Sequence, residues 1–270
     1  RRGIDTLELA KITQVDPWFI NALSRIVEME RRIANGQLTI ELLWDAKRLG
    51  MPDETIGRLA ERSAEDIRLL RTALGLKPVY KMVDTCAAEF EADTPYFYST
   101  YEQENEAAAL AGPKALVIGS GPIRIAQGIE FDYCSVHAAW ALQEEGVQSI
   151  MVNSNPETVS TDFDTSARLY FGPLDEESVR DIIENENVAG EYDPQRATPS
   201  VVQFGGQTAI NLSQVLDRAG LPILGSSATT IDIASDRRRF EEFLADLGIP
   251  RPPGTTVTNL EEALEAARGL

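Results

Sequence analysis

Histidine and cysteine are almost missing from this sequence: His137 is the only histidine, and Cys86 and Cys134 are the only cysteines. Two distant cysteines make neither a disulfide framework nor a metal-binding spacing, so they read as reduced, buried thiols of a cytoplasmic protein. His137 has no acid or nucleophile at triad-like spacing. It reads as a packed helix residue about one turn from Tyr133, which argues against serine- or cysteine-type hydrolysis. Lysine is scarce too: Lys11, Lys47, Lys77, Lys81 and Lys114 are the whole set, and the other basic residues are arginine. Acid outweighs base to a formal charge of −18 and a pI near 4.5. Such a chain repels phosphate backbones, so no nucleic-acid partner is expected. No apolar run approaches the ~18 residues a membrane helix needs, and no signal peptide is visible, so no membrane role is expected. The chain opens on Arg1 rather than Met and reads as a fragment of something longer.

What is present divides into helical and alternating parts. Residues 4–76 are helical in pattern. Asp16 with Pro17 predicts an N-cap and first helical position, and the helix should run to about Ala34. Trp18, Leu23, Val27 and Glu30 are the expected spacing of its mainly apolar face. Thr39 should cap a second helix ending at Gly50, and Asp53 a third. Ser63 with Asp66 should form a capping box on a fourth, which ends at Gly75. Short helices joined by tight turns predict a small orthogonal bundle. Residues 79–83 suit a short strand. Tyr96, Phe97, Tyr98 and Tyr101 read as packing, since such rings bury large areas. The acidic run 102–106, closed by Gly112-Pro113, suits a linker.

From Lys114 the pattern alternates. Strands are expected at 115–118, 149–153, 200–203 and 223–224, and helices at 132–145, 176–187, 209–219 and 236–247. Short apolar strands alternating with helices predict a Rossmann-like parallel sheet covered on both faces. A further strand at 254–257 and a helix capped by Thr258 with Glu261 begin something new.

The strand at 115–118 runs into Gly119-Ser-Gly121, which invites a dinucleotide-binding reading. Three residues oppose it. Arg124 stands where a third glycine would allow close packing, Pro122 removes a backbone donor, and the next strand ends Asn153-Ser-Asn155 rather than in an acid that holds a ribose. Two readings of Gly119 and Gly121 stay open: a tight turn only, or a loop facing an active-site crevice. The neighbouring loops, NPETVSTD at 155–162 and QFGGQT at 203–208, are long and polar. Helix capping would account for Asp162 and Thr208 but not for loops of that length with so few apolar residues. Loops that meet at one sheet edge often form a site.

In order, GSGPIRIAQGIEFDY, NPETVSTDFDTS, QFGGQT, ILGSS and DRRRF resemble the large chain of carbamoyl-phosphate synthase, over nearly the whole sequence. KMVDTCAAEFEADTPYFYSTYE resembles the end of its oligomerisation domain. Ala126, Ala167 and Gly172 depart from the usual Gly, Asp and Glu, which puts any role of Ala126 and Ala167 in doubt. The resemblance implies an α plus α/β organisation. A helical oligomerisation domain with linker would span 1–112, a pre-ATP-grasp domain 113–235, and the start of an ATP-grasp domain 236–270. It implies an ATP-dependent carbon–nitrogen ligase of pyrimidine and arginine biosynthesis that makes carbamoyl phosphate from bicarbonate, ammonia and two ATP. This stretch would belong to the half that phosphorylates carbamate. The implied cofactors are ATP with Mg2+ or Mn2+, with metal ligands outside this stretch. The implied partners are a glutaminase small subunit, which releases ammonia from glutamine, and further copies of the chain through the helical domain. Arg237, after the Asp236 that opens the ATP-grasp part, is the one residue to which the resemblance assigns nucleotide contact. Its guanidinium is a fork of donors suited to phosphate, although Arg237, Arg238 and Arg239 also fit a solvated helix start. Two other readings are kept: an assembly module without catalysis, and another ATP-grasp ligase such as a biotin carboxylase.

Overall fold

A computed structural model describes residues 3–90, 94–122, 129–187, 196–252, 254 and 256–269. Two compact units share the chain: residues 1–83 with 98–107, and residues 84–97 with 108–270. The chain therefore passes between them three times rather than once.

The first unit holds five helices: α1 (Thr6–Thr13), α2 (Pro17–Asn35), α3 (Ile40–Arg48), α4 (Asp53–Leu59) and α5 (Ala64–Ala73). Asp16 accepts a hydrogen bond from the Trp18 N–H and Thr39 one from the Leu42 N–H, as expected of N-caps. Ser63 and Asp66 close a full capping box. The Ser63 hydroxyl and then its backbone N–H hold the Asp66 carboxyl below the usual carboxylate range. α2 turns a different face inward from the one its spacing suggested. Ile20, Met29 and Ile33 are buried, whereas Trp18 and Leu23 lie in solvent. The inward face wins because Met29 and Ile33 join Leu43, Ala46, Ile56 and Ile67 in one cluster. A strand, β1 (Val79–Met82), follows the helices, and the backbone groups of Tyr80 and Met82 bond to 105–106.

Asp53 departs from expectation most clearly. It opens α4 but caps nothing, Pro52 holding the cap position. Its carboxylate is buried between Lys47 Nζ at 2.9 Å and Arg71 Nε at 2.7 Å, and so ties α3, α4 and α5 together. Lys47 also lies over the Tyr101 ring, 5.6 Å from its centroid.

In the second unit four strands run parallel in the order β5 (Arg168–Phe171), β4 (Gln148–Asn153), β3 (Lys114–Ile118), β6 (Ser200–Val201). Leu116, Val117, Ile118, Ile150, Met151 and Val152 are fully buried, as a sheet covered on both faces requires. The covering helices are α6 (Glu130–Glu144), α7 (Glu176–Glu186) and α8 (Gly206–Arg218). Neither β5 nor α9 (Ala228–Ser235), capped by Ser227, was anticipated. β2 (Tyr96–Thr100) is also a strand, and the Leu169 N–H donates to Pro95 O beside it. Conversely, the expected strand at 223–224 is one bridge from Ile223 to Ser200.

Toward the end, α10 (Arg237–Asp246) buries none of its residues, and α11 (Leu260–Gly269) follows. Gly254, Thr256 and Val257 are not in a strand, and Thr255 lies outside the described residues. α11 is capped by Asn259 rather than Thr258: Glu262 N–H donates to Asn259 Oδ1, and Thr258 bonds to Glu262 rather than Glu261. Cys86 and Cys134 are free and half-buried, not fully buried as expected.

Removing the Asp53 carboxylate leaves two cations in the core of the first unit. Asp53→Ala is expected to lower the stability of that unit by about 3–5 kcal/mol. Urea unfolding followed by far-UV circular dichroism measures it, and an unmoved midpoint would show that the triad contributes little.

Candidate functional site

The polar loops that follow β3, β4 and β6 do meet at one edge of the sheet, the carboxyl end of its parallel strands. The first two are joined at the carboxamide of Asn153, the last and fully buried residue of β4. Its Oδ1 accepts from the N–H groups of Gly121 at 3.0 Å, Ser154 at 2.8 Å and Asn155 at 3.2 Å. Its Nδ2 donates to Ser160 Oγ at 3.0 Å. One amide thus joins the glycine loop to the long loop after β4.

The glycines follow from this crowding. A Cβ on Gly119 would stand 2.7 Å from Asn153 Nδ2 and 2.8 Å from its Cγ. Gly121 has φ +68° and faces Ser154. A side chain on Gly205 would run into the carbonyl oxygens of Ile118 and Gly119, so the loop after β6 reaches the same place only as glycine. Gly225, at φ +81°, lies against the Gln203 side chain. The close approach at Gly119 and the positive φ of Gly121 are what the turn reading requires. The third position of the glycine pattern, Arg124, lies outside the described residues, as does Ala126.

The loop after β4 is polar because it folds back on itself, not because it is solvated. Ser160, Thr161, Thr165 and Ser166 are buried. Thr161 and Thr165 donate to the carbonyls of Thr158 and Val159, around a short turn of 3-10 helix at Val159–Thr161. Asp132, in the first turn of α6, accepts from the Ser160 N–H at 3.2 Å through Oδ2. Its Oδ1 and the Oε1 of Gln203 are buried acceptors that make no hydrogen bond among the described residues. Asp162 remains exposed. With Asp164 it adds to burial, the larger cause, in pushing the Tyr96 phenol up. Thr208 is not a helix cap: α8 starts two residues earlier, at Gly206, with Gly205 as N-cap and no side-chain cap.

Arg237 occupies the first turn of α10, with Asp236 as N-cap accepting from the Arg239 N–H at 2.9 Å. Its side chain is 84% exposed and touches Glu241 at 3.5 Å. Arg239 is the member of the trio that turns inward, pairing with Asp232 of α9. The described contacts bring Arg237 to none of the three rim loops. His137 is on the exposed face of α6, not packed inside. It stacks between Tyr133, at 4.2 Å between centroids, and Trp140, at 5.2 Å. Among the described residues no three His, Cys, Asp or Glu side chains gather as a metal site would require. No described helix is long and apolar enough to cross a membrane.

Sequence reasoning missed Asp132 and Asn153 as organisers of the edge. A buried Asn at a strand's end followed by Ser-Asn is a visible Asx-type signal, because such side chains bond the backbone just ahead. The role of Asp132 had no local signal, since its partner is far away in sequence.

A parallel α/β sheet with a glycine-shaped polar edge, in a chain that also carries a helical unit, defines the architectural class. Residues 111–233 match the family model described as the carbamoyl phosphate synthase preATP-grasp domain. Residues 1–75 match that of the carbamoyl-phosphate synthetase large chain, oligomerisation domain. The carbamoyl phosphate synthase large chain of Thermomicrobium roseum is 61% identical over all 270 residues of this chain, which cover 25% of that protein. That of Agathobacter rectalis is 50% identical, again over the whole chain and 24% of its own length. The chain belongs to the carbamoyl phosphate synthase large-chain family, and spans about a quarter of the length of the curated relatives it matches. Among solved structures, the biotin carboxylase domain of a single-chain bacterial carboxylase is similar over 58% of this chain and 34% of that one. At 21% identity and a TM-score of 0.40, that likeness bears on nothing further.

The edge geometry gives a matched pair of substitutions. Gly119→Ala drives a methyl into the Asn153 amide and is expected to cost about 1–3 kcal/mol, the usual penalty of overpacking. Gly172→Ala meets open space, and is expected to be neutral or to stabilise by up to about 1 kcal/mol. Urea denaturation of both variants checks the ordering, and equal effects would show that Asn153 is not confined.

Proposed function

We propose that this chain is the stretch of a carbamoyl phosphate synthase large chain that leads into its carbamate-phosphorylating half. In this reading residues 1–112 form the oligomerisation domain with its linker, 113–235 the pre-ATP-grasp domain, and 236–270 the beginning of an ATP-grasp domain. The parent enzyme would join bicarbonate and ammonia with two ATP, in the cytoplasm, with a glutaminase small subunit supplying the ammonia. The observation that carries the reading is identity of 61% sustained along every residue of the chain.

Phosphoryl transfer is mainly positioning and charge neutralisation, and the described residues supply only part of that. The Asn153-centred edge offers a rigid polar surface. Arg237 offers an exposed guanidinium whose forked donors suit a nucleotide phosphate. The described residues do not form a set of ligands for Mg2+ or Mn2+, so no metal contact is assigned to this chain. Assembly with further copies is assigned to the helical unit. Leu7 and Ile12 of α1 and Trp18, Phe19 and Leu23 of α2 all stand exposed, an apolar surface of the kind that interfaces cover.

The test is a chimera in which these 270 residues replace their counterpart in the Thermomicrobium roseum large chain. The chimera is expected to make carbamoyl phosphate within about tenfold of the parent's rate, roughly 1.4 kcal/mol of barrier height. It is also expected to sediment as the parent does. In the same background Arg237→Ala should raise KM for ATP without changing sedimentation. A folded chimera that makes no carbamoyl phosphate would overturn the reading.

A further inference from the structure

The two units are connected where the chain passes at 83/84, 97/98 and 107/108. Two of these three passages end on one buried cluster of the second unit. Glu186, at the end of α7, is fully buried. Its Oε1 accepts from Arg168 Nη1 at 2.6 Å and from the Tyr170 hydroxyl at 2.5 Å. Its Oε2 accepts from Lys114 Nζ at 3.3 Å and from the Leu110 N–H at 3.1 Å.

One carboxylate thus faces two cations, and the second positive charge needs other acceptors to stay buried. The connecting segment supplies them. Arg168 Nη1 donates to Ala108 O at 2.8 Å, and Lys114 Nζ donates to Leu110 O at 2.7 Å as well as to the Glu186 carbonyl. The other passage is held by the same arginine. The Arg168 guanidinium lies over the Phe97 ring at 5.0 Å, and Phe97 packs against Tyr170 at 6.0 Å between centroids. The carbonyls of 108 and 110 are therefore part of how the cluster balances its charge. The cluster in turn fixes the first residues of the connection.

We propose that Lys114, Arg168 and Glu186 form a clamp that fastens both connections, at Phe97 and at 108–110, to the second unit. Opening the clamp frees the connections while each unit stays folded. The arrangement is a conformational device independent of the catalytic reading, because none of these residues belongs to the polar edge.

Amide hydrogen exchange on the full 270-residue chain tests it, with Lys114→Met and Arg168→Met as variants. Lys114→Met is expected to speed exchange at Leu110 about tenfold, the factor carried by roughly one net hydrogen bond, and to leave the segment around Phe97 unchanged. Arg168→Met is expected to speed exchange in both segments. Met151 in β4 and Leu43 in α3 serve as references for the two folded units and should not move. Should Arg168→Met also loosen Met151, Lys114→Met decides. Unchanged exchange at Leu110 in Lys114→Met would overturn the clamp. So would a rise at Met151 in that variant matching the rise at Leu110, since the cluster would then be ordinary core.

Discussion

A single carboxamide constrains the polar edge of this molecule's sheet. Asn153 ends β4, is shut away from solvent, and holds three backbone N–H groups from two loops on one oxygen. A buried amide oxygen must be satisfied, and so must the N–H groups it serves. The arrangement therefore fixes the glycine loop and the loop after β4 with respect to each other. It also explains why Gly119 and Gly205 carry no side chain: the amide and two strand-end carbonyls occupy the space a methyl would take. The loops keep one shape because the hydrogen bonds and the close approaches require the same backbone path.

Charge is handled the same way in both units. Each buries a carboxylate against two cations: Asp53 with Lys47 and Arg71, and Glu186 with Arg168 and Lys114. Such clusters add less to net stability than their count of contacts suggests, because each charge leaves water. Their effect is specificity of arrangement. The first fixes how three short helices meet, and the second fixes where the connecting segments start. An excess of acid over the whole chain sits at the surface, whereas the buried clusters carry excess base.

Much of this was legible in the residues, and the failures have physical causes. Asp16, Thr39 and Ser63 announced their helices because capping is local. β3 and β4 were plain because Leu116–Ile118 and Ile150–Val152 are unbroken apolar runs. β5 was hidden because its buried residues include Arg168 and Tyr170, whose shared partner Glu186 lies far along the chain. Asp53 resembled a cap for the same reason: its partners Lys47 and Arg71 come from other helices. The inward face of α2 was misjudged because Trp18 and Leu23 are apolar yet stay exposed, while Met29 and Ile33 pack into the helical core. The family motifs identified the architecture of the edge but not Asn153 as its organiser, which needed distances.

The most direct measurement of that organising role is amide hydrogen exchange, resolved by NMR, at Gly121, Ser154 and Asn155 in the native chain. All three donate to one oxygen, so they are expected to be protected despite lying in loops, and to open together with a common free energy. Exchange of the three at the rates of unstructured peptides, or with unrelated opening energies, would contradict the account.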